Sequence, residues 1–347
     1  MSPRPLRARP QRPGWRTRIL LTCLGASLWL GLHATRAPER SAAHILHGRP
    51  TAPQSERELS LATYNIWGLH RFWVQAPEQR YRLIGESLER AADDVVALQE
   101  VWCAAAQAAL PRGAEWSVVR GSLEGQWGKQ SGLVTATRHR VLEARSYHFR
   151  REAGASALLS SKGALYTAIE LASGSVALVW NTHMQSGETR DAVRVEQVRE
   201  LLGWIERERT DWGRRHPGGE AFVCVLGDFN CTFESEPFRL LQAGLARCGA
   251  LRTSAGGSPT YDHLDNAWAV REAPKEIDYV CAAGRIAGTA RAERIFDRRR
   301  ARLGQRYLSD HFGVRMRWTR ELAPPPTLHG SRTLAVAAFE PGANRAQ

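Results

Sequence analysis

The 347-residue chain holds six cysteines, and none stand in a CxxC spacing. That excludes a ribbon- or finger-type zinc site. No internal repeat is visible, so a solenoid or propeller is excluded. Beyond Ile19–Leu32 no apolar run approaches the roughly 20 residues of a membrane span. Outside the first forty residues the basic side chains form no long interleaved stripe of the kind that follows a polyanion. The net charge of +13 is largely local: residues 1–40 carry eight Arg and one Glu, a net of +7, leaving +6 for the rest. What the chain does have is apolar content. At 43% hydrophobic residues it can bury a large core, which excludes global disorder.

The Arg-rich start, the Ile19–Leu32 run and Thr35-Arg36-Ala37 read in order as the n-region, h-region and cleavage site of an export signal. Residues 1–37 are therefore expected to be a signal peptide or an uncleaved signal anchor, placing the protein in the periplasm, outside the cell or on a membrane. Residues 38–57 are polar and read as a linker, 58–320 as one catalytic domain, and 321–347, opening on Pro324-Pro325-Pro326, as a disordered tail. Outside the leader the cysteines number five. Export allows one or two disulfides, and buried free thiols fit equally well.

The domain is organised around Val225-Leu226-Gly227-Asp228-Phe229-Asn230. The apolar run Ala221–Leu226 predicts a buried strand, after which Gly227 is expected to turn the backbone. Asp228 and Asn230 then share one side of the chain, an acid or base beside a neutral donor and acceptor. Other segments repeat the plan. Leu59–Trp67 ends near Asn65, Asp94–Glu100 in a carboxylate, and Val176–His183 in a histidine; Asp310-His311 precedes a final strand, Gly313–Trp318, and Asp278 lies within the short strand Ile277–Val280. Ser131–Ala136 and Ala164–Leu171 add strands, and Tyr81–Ala92 and Ala192–Glu206 have helical periodicity. Polar residues at so many strand ends imply one site on a sheet edge. Mixed strands and helices imply an α/β sandwich, sheet packed on sheet with helices outside.

TYNIWG, LQEVW, NTHMQ, LGDFN, EIDYV and LSDH, in that order over residues 59–318, resemble the signature motifs of the endonuclease/exonuclease/phosphatase superfamily. The resemblance implies a deoxyribonuclease I-like, four-layer α/β (α+β) fold of two mixed sheets flanked by helices. It also implies a metal-dependent phosphoric ester hydrolase using Mg²⁺, with Mn²⁺ as alternative ion. By motif, Asn65, Glu100 and Asp310 would serve the metal, and His183 would contact phosphate. Asp278 and His311 would form a carboxylate–imidazole pair, while Asp228 and Asn230 would position water, leaving group and phosphate. His311 and Asp228 both remain candidates for the general base.

Within the superfamily, LQEVW with Trp102, Ser131-Gly132-Leu133 followed by Thr137-Arg138-His139, Ser160-Ser161-Lys162-Gly163, and Pro259–Asp262 with Asn266 resemble the neutral sphingomyelinase branch. Lys162 would then be a substrate-binding residue at a headgroup phosphate. Trp67, Phe72 and Trp73 suit either a lipid interface or packing, and the run Arg298–Arg302 either anionic lipid or nucleic acid or a solvated loop. The leading expectation is cleavage of a phospholipid headgroup at a membrane surface. An exported nuclease, an inositol-type phosphatase and a non-catalytic lipid or nucleic-acid binder are the other readings. No protein partner is expected.

Overall fold

The computed structural model describes residues 40–49, 58–69, 74–91, 93–121, 130–153, 160–171, 174–219, 221–254, 257–285 and 288–320. The leader, the tail, Phe72 and Trp73 lie outside these residues. The strands are β1 (Arg40–Ala42), β2 (His44–Leu46), β3 (Glu58–Asn65), β4 (Val95–Gln99), β5 (Ser117–Arg120), β6 (Val134–Thr137), β7 (Arg140–His148), β8 (Gly163–Glu170), β9 (Val176–His183), β10 (Ala221–Asp228), β11 (Ala250–Thr253), β12 (Asp278–Gly284), β13 (Gly288–Ile295) and β14 (Gly313–Arg320). The helices are α1 (Pro77–Ala91), α2 (Asp191–Arg215) and α3 (Glu236–Leu245).

They form two seven-stranded mixed sheets, ordered β1-β7-β8-β9-β10-β12-β11 and β13-β14-β3-β4-β6-β5-β2. Neighbouring strands run antiparallel except β9–β10 and β3–β4. Each sheet's central strands are buried on both faces, as the near-continuous apolar runs of β3, β9 and β10 require. Leu61, Val179, Cys224 and Met316 pack between the sheets. On the outer faces, α2 and α3 bring Leu201, Trp204, Phe238 and Leu241 against β9, β10 and β12, and α1 brings Ile84 and Leu88 against β3 and β4. The result is the expected four-layer sandwich.

Three details differ from the sequence reading, and a fourth decides between alternatives it left open. The 38–57 stretch is not wholly a linker: β1 and β2 lie inside it, one joining each sheet, β1 on β7 and β2 on β5. Three-residue strands carry too little pattern to announce themselves, and the open sheet edges decide their pairing. Helix α2 continues to Arg215 rather than Glu206. Buried Leu201, Ile205, Glu208 and Trp212 keep the helical spacing, and a buried Glu is what hid it. Glu208 is matched there by Arg145 at 2.9 Å and by the Tyr147 hydroxyl. Gly227 does not turn the chain; β10 runs through it to Asp228. A Cβ at Gly227 would sit 2.0 Å from the Thr182 carbonyl oxygen, so the glycine permits close approach of β9. Finally, all five cysteines beyond the leader are free. Cys224 faces the inter-sheet layer and Cys281, on the neighbouring strand, faces the helices.

Candidate functional site

The parallel pairs β3–β4 and β9–β10 end at the same edge of the sandwich, and register sets what meets there. Asp228 is opposite His183 on β9 and opposite Asp278 on β12. These three side chains form one row in the first sheet. Asn65 is opposite Gln99 in the other sheet, with Glu100 directly following. Asp278 opens β12 rather than lying inside it, and because β12 is antiparallel its start lies at the edge where the parallel strands finish. Asp310 and His311 precede β14 at the same edge.

The row is joined across the two sheets. Asn65 Nδ2 donates to Asp228 Oδ2 at 3.0 Å. His183 Nε2 is 3.4 Å from that oxygen and 3.9 Å from Glu100 Oε1. His311 Nδ1 meets Asp278 Oδ2 at 2.9 Å, leaving Nε2 3.9 Å from Asp228. The Asn230 backbone N–H donates to Asp228 Oδ1 at 2.9 Å, and its side-chain amide donates to the Met184 carbonyl at 3.1 Å. Asn230 and Glu100 both adopt positive φ, 52° and 63°. Asn tolerates this conformation; for Glu it costs of order 1 kcal/mol and marks a held position.

Lys162 is no solvated loop residue. It is 3% exposed, and its Nζ lies 2.7 Å from His183 Nε2. The ammonium also sits 5.7 Å over the Trp102 ring, which stacks on His183 at 6.1 Å. Trp102 therefore belongs to the site. So does Gly132: at φ 64° it lies where a Cβ would come 2.3 Å from Trp102 Nε1. Thr137-Arg138-His139 does not join them, since Arg138 pairs with Asp94 at the opposite end of β4. Trp67 packs on Trp268 at 5.7 Å beside the site.

Crowding displaces the ionisation of these groups. Burial and the neighbouring Asp310 carboxylate raise Glu100 to about 7. Burial and Asp278 raise Asp228 to about 6. Asp310 is raised chiefly by burial. Burial alone would lower His311, but the Asp278 and Asp228 carboxylates outweigh it and hold the imidazole protonated well above its usual range. His183 goes the other way, lowered by burial and by Lys162. Lys162 is itself lowered by burial. Glu100, Asp228, Asp278 and Asp310 crowd together against only Lys162 and the protonated His311, and that excess of acid suits an added cation. Asp278 Oδ1 is buried with no hydrogen-bond partner among the described residues. Asp228, Asp278 and His311 also present ligand atoms within 4.8 Å of one another. His311 is held protonated by the two carboxylates, so the donors that fit a divalent metal ion are the oxygens beside that trio: Glu100, which senses both the Asp310 carboxylate and the Asn65 side chain, with Asp310 and Asn65 themselves.

The endonuclease/exonuclease/phosphatase family model matches residues 62–311, nearly the whole described domain. The chain belongs to that family. It is accordingly a phosphoric ester hydrolase. Three solved structures show how far the fold is shared. Sphingomyelinase C from Streptomyces griseocarneus is 18% identical, with 76% of this chain and 99% of that one covered and a TM-score of 0.55. Beta toxin from Staphylococcus aureus is 20% identical over 74% and 99%, at 0.59. D. rerio TDP2 complexed with a single-strand DNA product is 19% identical over 76% and 99%, at 0.57. Comparison with curated proteins gives no significant match.

Around this family centre stand residues that sequence reasoning missed. Arg80, fully buried on α1, donates to the carbonyls of Ile66, Trp67 and Leu308, clamping the segment after β3 to the one before β14. Gln99 Nε2 donates to Asn181 Oδ1 at 2.8 Å, and Asn181 Nδ2 to the carbonyls of Leu98 and Val134, bridging the sheets beneath the site. Thr260 and Asn266, which the sequence had singled out, join them: Thr260 Oγ1 accepts from the Asp278 N–H at 3.2 Å, and Asn266 Nδ2 donates to the Ser309 carbonyl at 2.8 Å, so these two side chains support Asp278 and the segment carrying His311. The available signal was a polar residue in an otherwise apolar run: Gln99 closes buried β4, and Asn181 lies two residues inside the end of buried β9.

Proposed function

We propose that the chain is an exported Mg²⁺-dependent phosphodiesterase that cleaves the headgroup phosphodiester of a bilayer phospholipid of the sphingomyelin type. The observation that carries the substrate class is Lys162, one buried cation against His183 on the Trp102 ring. A single enclosed ammonium suits a single phosphate; a duplex nuclease needs cations spread along a backbone. The fold shared with sphingomyelinase C supports the same reading.

In this proposal Glu100, Asn65 and Asp310 hold the ion, as an oxygen-rich set suits a hard cation. When bound, Mg²⁺ would polarise a phosphoryl oxygen and offset its developing charge. Asp228 takes the water proton, because its carboxyl, raised to about 6, is ionised and basic at neutral pH. His311 is already protonated by virtue of Asp278, so it acts as a fixed positive donor rather than the base. Neutral His183 and Lys162 hold the phosphate. Asn230 fixes Asp228 through its backbone N–H.

A nuclease is the second reading, favoured by Arg298, Arg299, Arg300 and Arg302 before the LSDH motif and by the fold shared with a DNA-product complex. A panel assay with Mg²⁺ decides, comparing sphingomyelin vesicles, other phospholipids, duplex DNA and an inositol phosphate. Faster hydrolysis of sphingomyelin than of DNA supports the proposal; preference for DNA transfers it to the nuclease, and preference for the inositol phosphate to a phosphatase. Export belongs to the same proposal: N-terminal sequencing of the recovered protein should start after Ala34 or Ala37, unless the segment stays as an anchor.

A further inference from the structure

Among the described residues only three large hydrophobic side chains are exposed: Leu46, Leu264 and Val270. Two of them sit on one loop, the connection between β11 and β12, at 75% and 44% exposure. That loop borders the site, since Tyr261 pairs with His311 and with Lys275.

The loop is ordered from within. Leu264 N–H donates to Asp262 Oδ1 at 2.9 Å, Trp268 N–H to Asn266 Oδ1 at 3.1 Å, and Val270 N–H to the Tyr261 hydroxyl at 2.8 Å. Trp268 Nε1 donates to the Tyr307 carbonyl at 2.9 Å. These polar groups are thus turned inward, while Leu264 and Val270 are left outside. An apolar tip held rigid loses little entropy when another phase covers it.

The surrounding charge selects that phase. Two of the loop's acids are ion-paired, Asp265 with Arg299 at 3.2 Å and Glu272 with Lys275 at 2.6 Å, and Asp262 accepts the backbone N–H groups of Leu264 and Asp265. Arg271 follows Val270 and is exposed, and Arg306 lies 4.7 Å over the Trp268 ring. The adjoining segment 296–308 has five Arg and one Asp. The Arg306 guanidinium also donates to Gln75 Oε1 at 2.7 Å, which holds its charge in place. Apolar tips with guanidinium groups beside them match an anionic bilayer: the tips enter the headgroup layer and the cations stay with lipid phosphates.

We propose that Leu264 and Val270, with Arg271 and Arg306, form a docking surface that sets the mouth of the site against an anionic phospholipid bilayer. This rests on the phospholipid reading above but is testable apart from it. Vesicles of phosphatidylcholine with phosphatidylserine would be floated with the full chain in EDTA, so that no hydrolysis enters the readout. The double variant Leu264→Ser/Val270→Ser should float about tenfold less than wild type. Leu264→Trp should float more, and Arg271→Glu less. Hydrolysis of a small soluble phosphodiester should be unchanged in all three.

Equal flotation of the double variant and wild type would overturn the surface. So would DNA retention, rather than flotation, responding to the variants. If flotation falls as expected but no lipid is cleaved, the surface stands and the phospholipid-cleavage reading fails. If lipid is cleaved while flotation ignores the variants, the surface alone fails.

Discussion

Glu100 is the carboxylate on which the metal assignment turns. It follows β4 at positive φ, is raised to about 7 by burial and by Asp310, and faces His183 at 3.9 Å. Glu100→Gln should leave the fold intact and lower Mg²⁺-dependent turnover on the order of a hundredfold or more. Turnover unchanged at limiting Mg²⁺ would remove Glu100 from the site. Gly132 tests the other wall. Gly132→Ala imposes a positive-φ strain and drives a Cβ into the Trp102 ring, the platform under Lys162 and His183. We expect kcat to fall about tenfold with a smaller change in thermal midpoint, read from steady-state kinetics and a melt. At this scale the candidate row was largely legible. Asn65, Glu100, His183, Asp228 and Asp310-His311 each interrupt or close an apolar segment, and polar residues there are conspicuous. Lys162 carries no such signal; in sequence only the resemblance of Ser160-Ser161-Lys162-Gly163 to a family loop named it, and enclosure by His183 and Trp102 is what sets it beside the row. Arg80 was illegible for the same reason, since a helix pattern rich in charge does not show which guanidinium turns inward.

Elements hold this row in place through buried polar clamps. Arg80 ties α1 to the segments flanking Asn65 and Asp310. Arg80→Lys keeps a charge but loses the planar fork. It leaves backbone carbonyls unsatisfied and should cost about 2–3 kcal/mol, measured by denaturant unfolding, with KM rising as the loops loosen. At the far end, Glu143 on β7 ties α2 to its sheet. Burial pushes its carboxyl up, but bonds from Arg215, Arg145 and Tyr166 outweigh that and hold it at about 2 instead of 4.5. A depressed carboxylate contributes stability that is present above its unfolded value and lost as pH falls through the folded one. Glu143→Gln should therefore be less stable than wild type by on the order of 1–2 kcal/mol above pH 4.5, with the difference closing toward pH 2. A pH series of unfolding curves reads this directly; a difference independent of pH would contradict it. The central strands β3, β4, β9, β10 and β14 were readable because burial on both faces makes continuous apolar runs. Strands β5, β7, β11 and β13 were not. Arg291, Glu293 and other charges occupy edge or half-covered positions there, and pairing, not pattern, decides their conformation.

For the whole molecule, the two sheets meet so that each contributes part of one centre: Asp228, His183 and Asp278 from one, Asn65, Glu100, Asp310 and His311 from the other. The acid-rich cleft between them is costly without a counter-ion, so a metal that binds only the folded chain should stabilise it by mass action. Mg²⁺ should raise the thermal midpoint of wild type and have little effect on Glu100→Gln. This shared edge is where we place a metal-dependent phosphodiester centre. The most direct measurement is hydrolysis of a small soluble phosphodiester, in EDTA and with Mg²⁺ restored, by wild type and by Asp228→Asn. We expect no turnover in EDTA, recovery with Mg²⁺, and loss of that recovered rate on the order of a hundredfold or more in Asp228→Asn. Turnover that persists in EDTA, or survives in Asp228→Asn, would contradict this placement.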